Sequence, residues 1–435
     1  MVRLFLAVSI VLLSTLVSVA VPVRPGSDLS TPPLRWNKNT IRIAVSQSIT
    51  TPNVNIKYNS DVVKAISSSL KVWESAANVS FELSYIDKLN VSSSGPAGDG
   101  VSLITIAQTP DNVLLFDKGA TDASARTRVF VDRRGFITEG DIVLNPFQSF
   151  STDGTPGSYD LQSVLTHELG HLLGLDHSPV FGSTMFEGIG KNGAFNLQNR
   201  FARTLSTEDI AAIRSLYGPA VDDENCCGRI VGKLAVPRNA KDLKVWAEDY
   251  DSGVVVGFDS VGNDGTFQIG GLTTGKYRLL VQNSTNSRVQ TAAYELPAVE
   301  VSKDNIAKVS ESLKLQPIAG DVRYIGTSEQ LGNIALPLNR GRIYTLLVGG
   351  NKRSGNVEIG SDSQYIEVDP QTAGPTEWND STSAIRVSVR IRPDAPMGDY
   401  SLYIKDENGL KRYLTGAITV EAFEDPSVFI FSTGY

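Results

Sequence analysis

Residues 167–177 read His167-Glu168-Leu169-Gly170-His171-Leu172-Leu173-Gly174-Leu175-Asp176-His177, a pattern that can be written H-E-x-x-H-x-x-G-x-x-H. On a helix, positions four apart share one face, so the imidazoles of His167 and His171 point at the same place. Gly174 takes a positive φ at little cost and lets the chain turn sharply, which brings His177 back under the helix end. Three neutral imidazoles with one coordination position left open predict a catalytic metal site.

Glu168 lies one residue round the helix from His167, where its carboxylate can approach a metal without binding it. The three histidines of the chain all lie in this motif, and chance gives these spacings only about 3 times in 100,000. Imidazole ligands also accept nickel, copper or iron, but this ligand set favours zinc. We therefore predict one Zn²⁺ held by His167, His171 and His177, with Glu168 beside it as general base.

Together with Ser178, these eleven residues resemble the metzincin motif in its matrixin form, the group that includes the collagenases and related matrix metalloproteases. Metzincins place a methionine in a tight turn below the zinc, and Met185 lies eight residues after His177 in the stretch Ser183-Thr184-Met185-Phe186. Alone, Met185 would be better explained as filling of the hydrophobic core. The resemblance covers about residues 35–218. Further landmarks that look like those of matrixins are the helix containing Trp73, residues 141–145 and residues 216–218.

The resemblance implies that residues 35–218 form an α+β zincin catalytic domain, which hydrolyses peptide bonds through a zinc-bound water activated by Glu168. Met185 would form the Met-turn. An extended substrate would add as a strand to a sheet edge, for which residues 128–132 are the candidate, with an interior strand as the alternative. The specificity wall would come from residues 186–190, but the side chain it prefers cannot be derived, so no substrate-binding residue is assigned.

The chain also departs from the animal matrixins. Those enzymes hold a second, structural zinc with extra histidines, and here every histidine is already used. They also use a cysteine in a pro-segment for latency, whereas no cysteine precedes Cys226. The pattern resembles the secreted matrixin-like proteases of bacteria more closely.

Calcium is a second metal to consider, because structural Ca²⁺ is common in this family. Asp153 and Asp160, with the glycines Gly154 and Gly157 between them, could hold one Ca²⁺. A solvated acidic turn is the interpretation that we favour for this loop.

The N-terminus has the features of a signal peptide. A basic Arg3 precedes a mostly apolar stretch, and Ser18-Val19-Ala20 supplies small residues at a cleavage site. An uncleaved anchor is the alternative, since the apolar stretch nearly reaches bilayer-spanning length. We predict a signal peptide at residues 1–20 and a linker at 21–34, and therefore a secreted, extracellular protein with no stable membrane insertion after cleavage.

After residue 219 the sequence changes to short β-type runs separated by turns. Residues 225–316 resemble a carboxypeptidase regulatory-like β-sandwich, residues 320–422 resemble an Ig-like β-sandwich, and 423–435 form a tail. The predicted fold class is thus multidomain, an α+β metzincin domain followed by two all-β sandwich domains. These modules are expected to bind a surface, a polymer or a protein partner. The net charge of −7 argues against a nucleic-acid partner.

Two questions stay open at this level. Cys226 and Cys227 could be free thiols, a vicinal disulfide or part of an intermolecular bridge. The rival functional hypothesis is a surface-binding or adhesion protein whose protease domain is vestigial. The intact set of three histidines, Glu168 and Met185 argues against that rival, because an inactive enzyme is free to lose any of them.

Overall fold

The computed structural model describes residues 33–421 except residues 94–97, 117–122, 197–200, 237–241, 285–286, 288–289, 319–320, 328–329, 352–356 and 378–381. The predicted signal peptide (1–20), the linker (21–34) except its last two residues, and the tail (423–435) lie outside the described residues. No described helix has both the length and the apolar character needed to cross a membrane.

The N-terminal domain, residues 35–218, mixes helices and strands, as its alternating patterns predict. Its strands are β1 (Arg35–Trp36), β2 (Thr40–Ser46), β3 (Ser80–Ile86), β4 (Leu103–Thr105), β5 (Ala125–Val131), β6 (Phe136–Leu144), β7 (Phe150–Ser151) and β8 (Tyr159–Asp160). Its helices are α1 (Gln47–Thr50), α2 (Val62–Ala76), α3 (Pro110–Val113), α4 (Leu161–Leu172) and α5 (Thr207–Tyr217). Single turns of 3-10 helix occur at Leu114–Phe116, Ala194–Asn196 and Phe201–Arg203.

The main sheet of this domain places β5 at an edge. Strands β6, β4, β2 and β3 run parallel to one another in that order, and β1 pairs with the start of β6. Strand β5 is antiparallel to β6 and pairs with no other strand among the described residues. The expected edge position of residues 128–132 is therefore confirmed, and the alternative of an interior strand is wrong.

Helices α2 and α4 pack against each other beneath this sheet. The indole of Trp73 is fully buried, and its Nε1 donates to the Thr166 carbonyl at 2.9 Å. The N-cap of α2 is Asp61, whose side chain accepts from the Lys64 N–H at 3.0 Å. Helix α4 begins at Leu161, because the residues before it pair as strand β8.

Residues 226–312, the middle β region, form two small sheets. Their strands are β9 (Cys226–Ala235), β10 (Leu243–Asp249), β11 (Val255–Ser260), β12 (Thr266–Thr273), β13 (Gly275–Asn283), β14 (Tyr294–Val301) and β15 (Ile306–Ser312). One sheet has the order β11-β10-β13-β14 and the other β12-β9-β15. Cys226 and Cys227 are placed as a vicinal disulfide at the start of β9.

Residues 324–421, the C-terminal β region, form two further sheets of order β17-β16-β19-β22-β21 and β18-β24-β23-β20. Their strands are β16 (Tyr324–Thr327), β17 (Gln330–Gly332), β18 (Leu336–Asn339), β19 (Ile343–Asn351), β20 (Glu358–Gly360), β21 (Ile366–Glu377), β22 (Thr382–Ile391), β23 (Gly398–Lys405) and β24 (Lys411–Glu421). An Asn408-Gly409 turn, a sequence typical of tight hairpins, joins β23 to β24, with Gly409 at φ +78°. The β-rich C-terminal half is thus confirmed, while its assignment to two particular sandwich types stays a prediction.

The N-terminal domain is packed directly on both β regions. Helix α5 lies against β11 and β12, where Gly271 allows close approach to the Ala211 carbonyl. Val180 is fully buried in a cluster with Trp246 of the middle β region and Tyr413 of the C-terminal β region. The backbone N–H of Phe181 donates to the Thr415 carbonyl at 2.9 Å. The residues just after His177 are therefore enclosed by all three parts of the chain.

Candidate metal centre

Helix α4 carries the first two histidines and is buried along most of its length. Asp160 caps its N-terminus by accepting from the Ser163 N–H at 2.9 Å. At the other end the indole of Trp36 and the hydroxyl of Tyr217 donate to the Leu172 and Leu173 carbonyls, at 2.8 and 2.7 Å. Both helix ends thus have their backbone groups paired, which holds the metal-binding face in one orientation.

Gly174 makes the turn that the sequence predicted. Its φ is +103°, a conformation that residues with a Cβ rarely adopt. A Cβ at this position would also lie 2.2 Å from the Leu34 carbonyl oxygen. Glycine is therefore required at this position both by its backbone angle and by the space around it.

The three imidazoles converge on one point. The Nε2 atom of His171 lies 3.1 Å from Nε2 of His167 and 3.2 Å from Nε2 of His177. Two nitrogen ligands at the usual zinc–nitrogen distance in a tetrahedral site are separated by about 3.3 Å, so these spacings fit one metal ion. His167 is buried, His171 is partly buried and His177 is exposed, so the site opens on the side of His177.

The second nitrogen of two of the rings is held by the backbone. Nδ1 of His167 lies 2.7 Å from the Thr184 carbonyl and Nδ1 of His171 lies 2.8 Å from the Leu175 carbonyl. Since a carbonyl can only accept, Nδ1 carries the proton in both rings and Nε2 presents a lone pair. Burial lowers the pKa of His167 to about 3 and those of His171 and His177 below their usual range. Neutral imidazoles with lone pairs facing one another are suited to a cation.

Glu168 lies beside the histidines and is itself buried. The Thr127 hydroxyl on β5 donates to Oε2 of Glu168 at 2.5 Å. Burial raises the pKa of Glu168 to about 7, although the Thr127 hydrogen bond and the nearby Arg126 act in the opposite direction. A carboxyl group with this pKa can both accept and release a proton near neutral pH. Thr127 was not identified from the sequence, since no local pattern shows that β5 meets α4.

Met185 lies in a tight turn below the helix that carries the histidines. The turn is closed by the Phe186 N–H donating to the Ser183 carbonyl at 3.1 Å. Gly170 leaves room for the thioether, since a Cβ there would lie 2.2 Å from Sδ of Met185. The carboxylate of Asp209 accepts from the Thr184 N–H at 2.7 Å and the Ser183 hydroxyl at 2.6 Å.

The structure brings together all the residues predicted for the zinc site, but it gives the proposed calcium ligands other partners. Asp153 pairs with Lys57 at 2.6 Å, and Asp160 pairs with Arg203 as well as capping α4. Among the described residues, the only group of three or more potential metal-binding side chains is the histidine cluster. The solvated acidic turn thus fits Asp153 better than a calcium site does.

The Matrixin family model matches residues 35–218. Residues 35–218, which match this family model, are here called the matrixin domain. Among curated proteins, metalloendoproteinase 1-MMP of Arabidopsis thaliana is 26% identical over 196 residues, which is 42% of this chain and 45% of that protein. Matrix metalloproteinase-20 of Homo sapiens is 28% identical over 185 residues, 42% of this chain and 32% of that protein. The hatching enzyme of Paracentrotus lividus is 30% identical over 193 residues, which is 42% of this chain and 27% of that protein. The chain thus spans less than half the length of these three relatives.

Solved structures add nothing to the matrixin assignment. A putative adhesin from Bacteroides ovatus gives a TM-score of 0.17 at 11% identity, over 46% of this chain and 90% of that chain. The major pilin subunit BcpA of Bacillus cereus gives a TM-score of 0.15 at 10% identity, over 43% of this chain and 66% of that chain. Scores this low carry no argument about fold or function.

Proposed function

We propose that this chain is a secreted zinc-dependent endopeptidase that hydrolyses peptide bonds of extracellular proteins. The observation that carries the proposal is the convergence of three imidazole Nε2 atoms beside the buried carboxylate of Glu168. The matrixin domain supports it, because the relatives that match this domain include proteins named as metalloendoproteinases.

The residues present would divide the chemistry between them. His167, His171 and His177 would hold zinc, which polarises a carbonyl and makes water more acidic. Glu168 would take the proton of the attacking water and deliver it to the leaving amine, a role that its burial and its position next to His167 on α4 support. The Thr127 hydroxyl orients the carboxylate for this task.

The edge strand β5 is the proposed binding position for the substrate backbone. Thr127 belongs to β5, so the strand runs directly past Glu168. An extended peptide added along the free edge would have its backbone groups paired and its scissile bond near the carboxylate. The two β regions, which we propose are β-sandwich modules, would attach the enzyme to a surface, a polymer or a protein.

Replacing Glu168 tests the proposal. We expect Glu168→Ala to keep one zinc per chain but to lose at least 100-fold in turnover of casein or gelatin, because the general base is missing. Metal content is measured by elemental analysis, and a chelator should abolish the activity of the wild-type protein. Glu82→Gln, an exposed carboxylate in the same domain, is the control and should behave as wild type.

The rival hypothesis of an adhesion protein with a vestigial protease domain predicts a different outcome. A wild-type protein that binds zinc but cleaves no protein or peptide substrate would contradict the proposal. Near-normal turnover in Glu168→Ala would contradict the role of that carboxylate.

A further inference from the structure

The chain that follows Met185, residues 186–195, is here called the wall segment, and its first residue belongs to a hydrophobic cluster shared with the C-terminal β region. The ring of Phe186 stacks on that of Phe181, with centroids 5.0 Å apart and planes 19° apart. Phe186 belongs to the same buried cluster as Ile334 of the C-terminal β region, and not to the main core of the matrixin domain. The start of the wall segment thus belongs to a hydrophobic cluster that extends beyond the matrixin domain into the C-terminal β region.

The far end of the wall segment is also held by the C-terminal β region. Phe195 has a φ of +54°, an uncommon conformation for a residue with a side chain, and its backbone N–H donates to the Gln330 side chain. Its ring lies against Gly332, where an added Cβ would be 2.8 Å from Cζ of Phe195. Tertiary contacts with β17 therefore hold a backbone conformation that is unfavourable on its own.

Between these ends the wall segment is anchored to the matrixin domain. The N–H of Asn192 donates to the Ser158 carbonyl at 2.8 Å, and the Asn192 carbonyl accepts from the Gly157 N–H at 2.9 Å. Ile189 packs against the main core of the matrixin domain. The segment thus bridges the two parts of the chain, and its first residue, Phe186, forms a β-bridge with Ser178, the residue after His177.

A cavity of about 440 Å³ lies between the wall segment and the C-terminal β region. Residues 188–190 and 194–195 line one side of it, and residues 330–334 line the other. Gln330, Gly332 and Phe195 all belong to this lining, so a shift of the Phe195 ring changes the shape of the cavity.

We propose that the C-terminal β region, through Gln330 and Gly332, positions the wall segment and thereby determines which substrate side chains the protease accepts. This inference rests on the proposed function, because it assigns substrate selectivity to the same active site. Gln330 and Gly332 act as positioning residues through Phe195. On this view the β region is part of the specificity apparatus as well as a means of attachment.

Gly332→Ala tests the inference, because the added methyl group forces the Phe195 ring to move. The full-length protein is assayed with two peptides that differ only in having Ala or Leu after the scissile bond. We expect the ratio of their kcat/KM values to change by at least about fivefold. Gly374→Ala is the control, since it lies in the same β region with open space around it, and its ratio should equal that of wild type. The ratio is independent of the amount of folded enzyme, so loss of stability alone does not move it.

Amide hydrogen exchange on the zinc-free full-length proteins provides a readout that needs no activity. Gln330→Ala removes the side-chain acceptor of the Phe195 N–H. In this variant and in Gly332→Ala, the backbone amide protons of residues 186–195 should exchange faster than in wild type or in Gly374→Ala. Unchanged exchange in both variants would overturn the inference whatever their activity. An unchanged selectivity ratio would overturn it as well. Failure of the wild-type protein to cleave any peptide would instead contradict the proposed function, and exchange would still report whether the β region holds the wall segment.

Discussion

The hydroxyl of Thr127 orients the Glu168 carboxylate. Both groups are buried, and the hydroxyl donates to Oε2 at 2.5 Å. A hydrogen bond in such a site restricts the carboxylate to one rotamer and stabilises its ionised form, as the direction of its contribution to the Glu168 pKa indicates. If the proposed function is correct, Thr127 would therefore affect catalysis through the Glu168 carboxylate.

Thr127→Val removes this hydroxyl while keeping the shape of the side chain. We expect kcat for peptide hydrolysis to fall by about 10- to 100-fold with little change in KM and in zinc content, a range typical of residues that orient a catalytic group. Thr127→Ser should restore most of the activity. Thr345→Val, which removes an exposed hydroxyl from strand β19 of the C-terminal β region, is the control. A kcat equal to that of wild type in Thr127→Val would contradict the orienting role.

The histidine ligands could be predicted from the sequence because their geometry is local. Helical spacing places His167 and His171 together, and one glycine turn places His177. The partners of these rings are less predictable. The Thr184 carbonyl reaches His167 only because the Met185 turn folds under α4, which requires contacts distant in sequence. The same reason explains why Thr127 could not be identified.

Secondary-structure features that depend on neighbouring residues can be predicted from the sequence, whereas features that depend on contacts between distant segments cannot. The Ser206–Asp209 capping box and the Asn408-Gly409 hairpin can both be recognised in the sequence, because each depends on neighbouring residues alone. Strand β3 was not predicted, and its mostly exposed residues show no alternation of buried and exposed positions. The contact between residues 186–195 and β17 left no pattern in either stretch.

Helix α5 has a second role that its capping box did not reveal. The Asp209 carboxylate accepts from Ser206 within the box, and also from the Ser183 hydroxyl and the backbone N–H groups of Thr184 and Met185. The N-terminus of α5 therefore fixes the turn whose Thr184 carbonyl orients His167. The capping residue Asp209 is thus linked, through Thr184, to the orientation of His167 in the candidate metal site.

Comparing Asp209→Ala with Ser206→Ala separates these two roles. Both break the capping box, which costs about 1 kcal/mol in the free energy of unfolding. Only Asp209→Ala also frees the Met185 turn, so we expect it alone to weaken zinc binding by about 10- to 100-fold. Zinc affinity is measured by competition with a chromophoric chelator. Equal zinc affinity in the two variants would show that the turn holds its shape without Asp209.

For the whole molecule, the change in composition after residue 219 predicted the additional β regions but not how they pack. The residues that contact them, such as Val180 and Phe181, look like ordinary core residues in the sequence. Their partners Trp246 and Thr415 come from two different parts of the chain. Such an interface has no periodicity of its own, since each apolar residue would fit equally well inside its own domain.

The interface between the matrixin domain and the C-terminal β region also encloses carboxyl groups. The Asp399 side chain lies against Gly182 and is buried, with Thr419 donating to Oδ1 at 2.6 Å and Oδ2 without a hydrogen-bond partner. The charged groups that act on it, Asp209 and Glu421, are both acidic, and burial together with them raises the pKa of Asp399 to about 7. Nearby Glu208 is also buried, and its pKa is raised well above the usual range.

This arrangement predicts a pH dependence of stability with a defined sign. The unfolded chain releases the Asp399 proton near pH 4, whereas the folded protein keeps it until about pH 7. Between these values the folded state binds more protons, so this group makes the free energy of unfolding fall by about 1.4 kcal/mol per pH unit as the pH rises. Asp399→Asn removes this pH-dependent contribution. The free energy of unfolding of the variant minus that of wild type should therefore increase from pH 5 to pH 7 and stay constant above pH 7. Urea unfolding across this range measures the difference, with the exposed Asp251→Asn as control. If the free energies of unfolding of wild type and Asp399→Asn change with pH in parallel, Asp399 is already ionised in the folded interface.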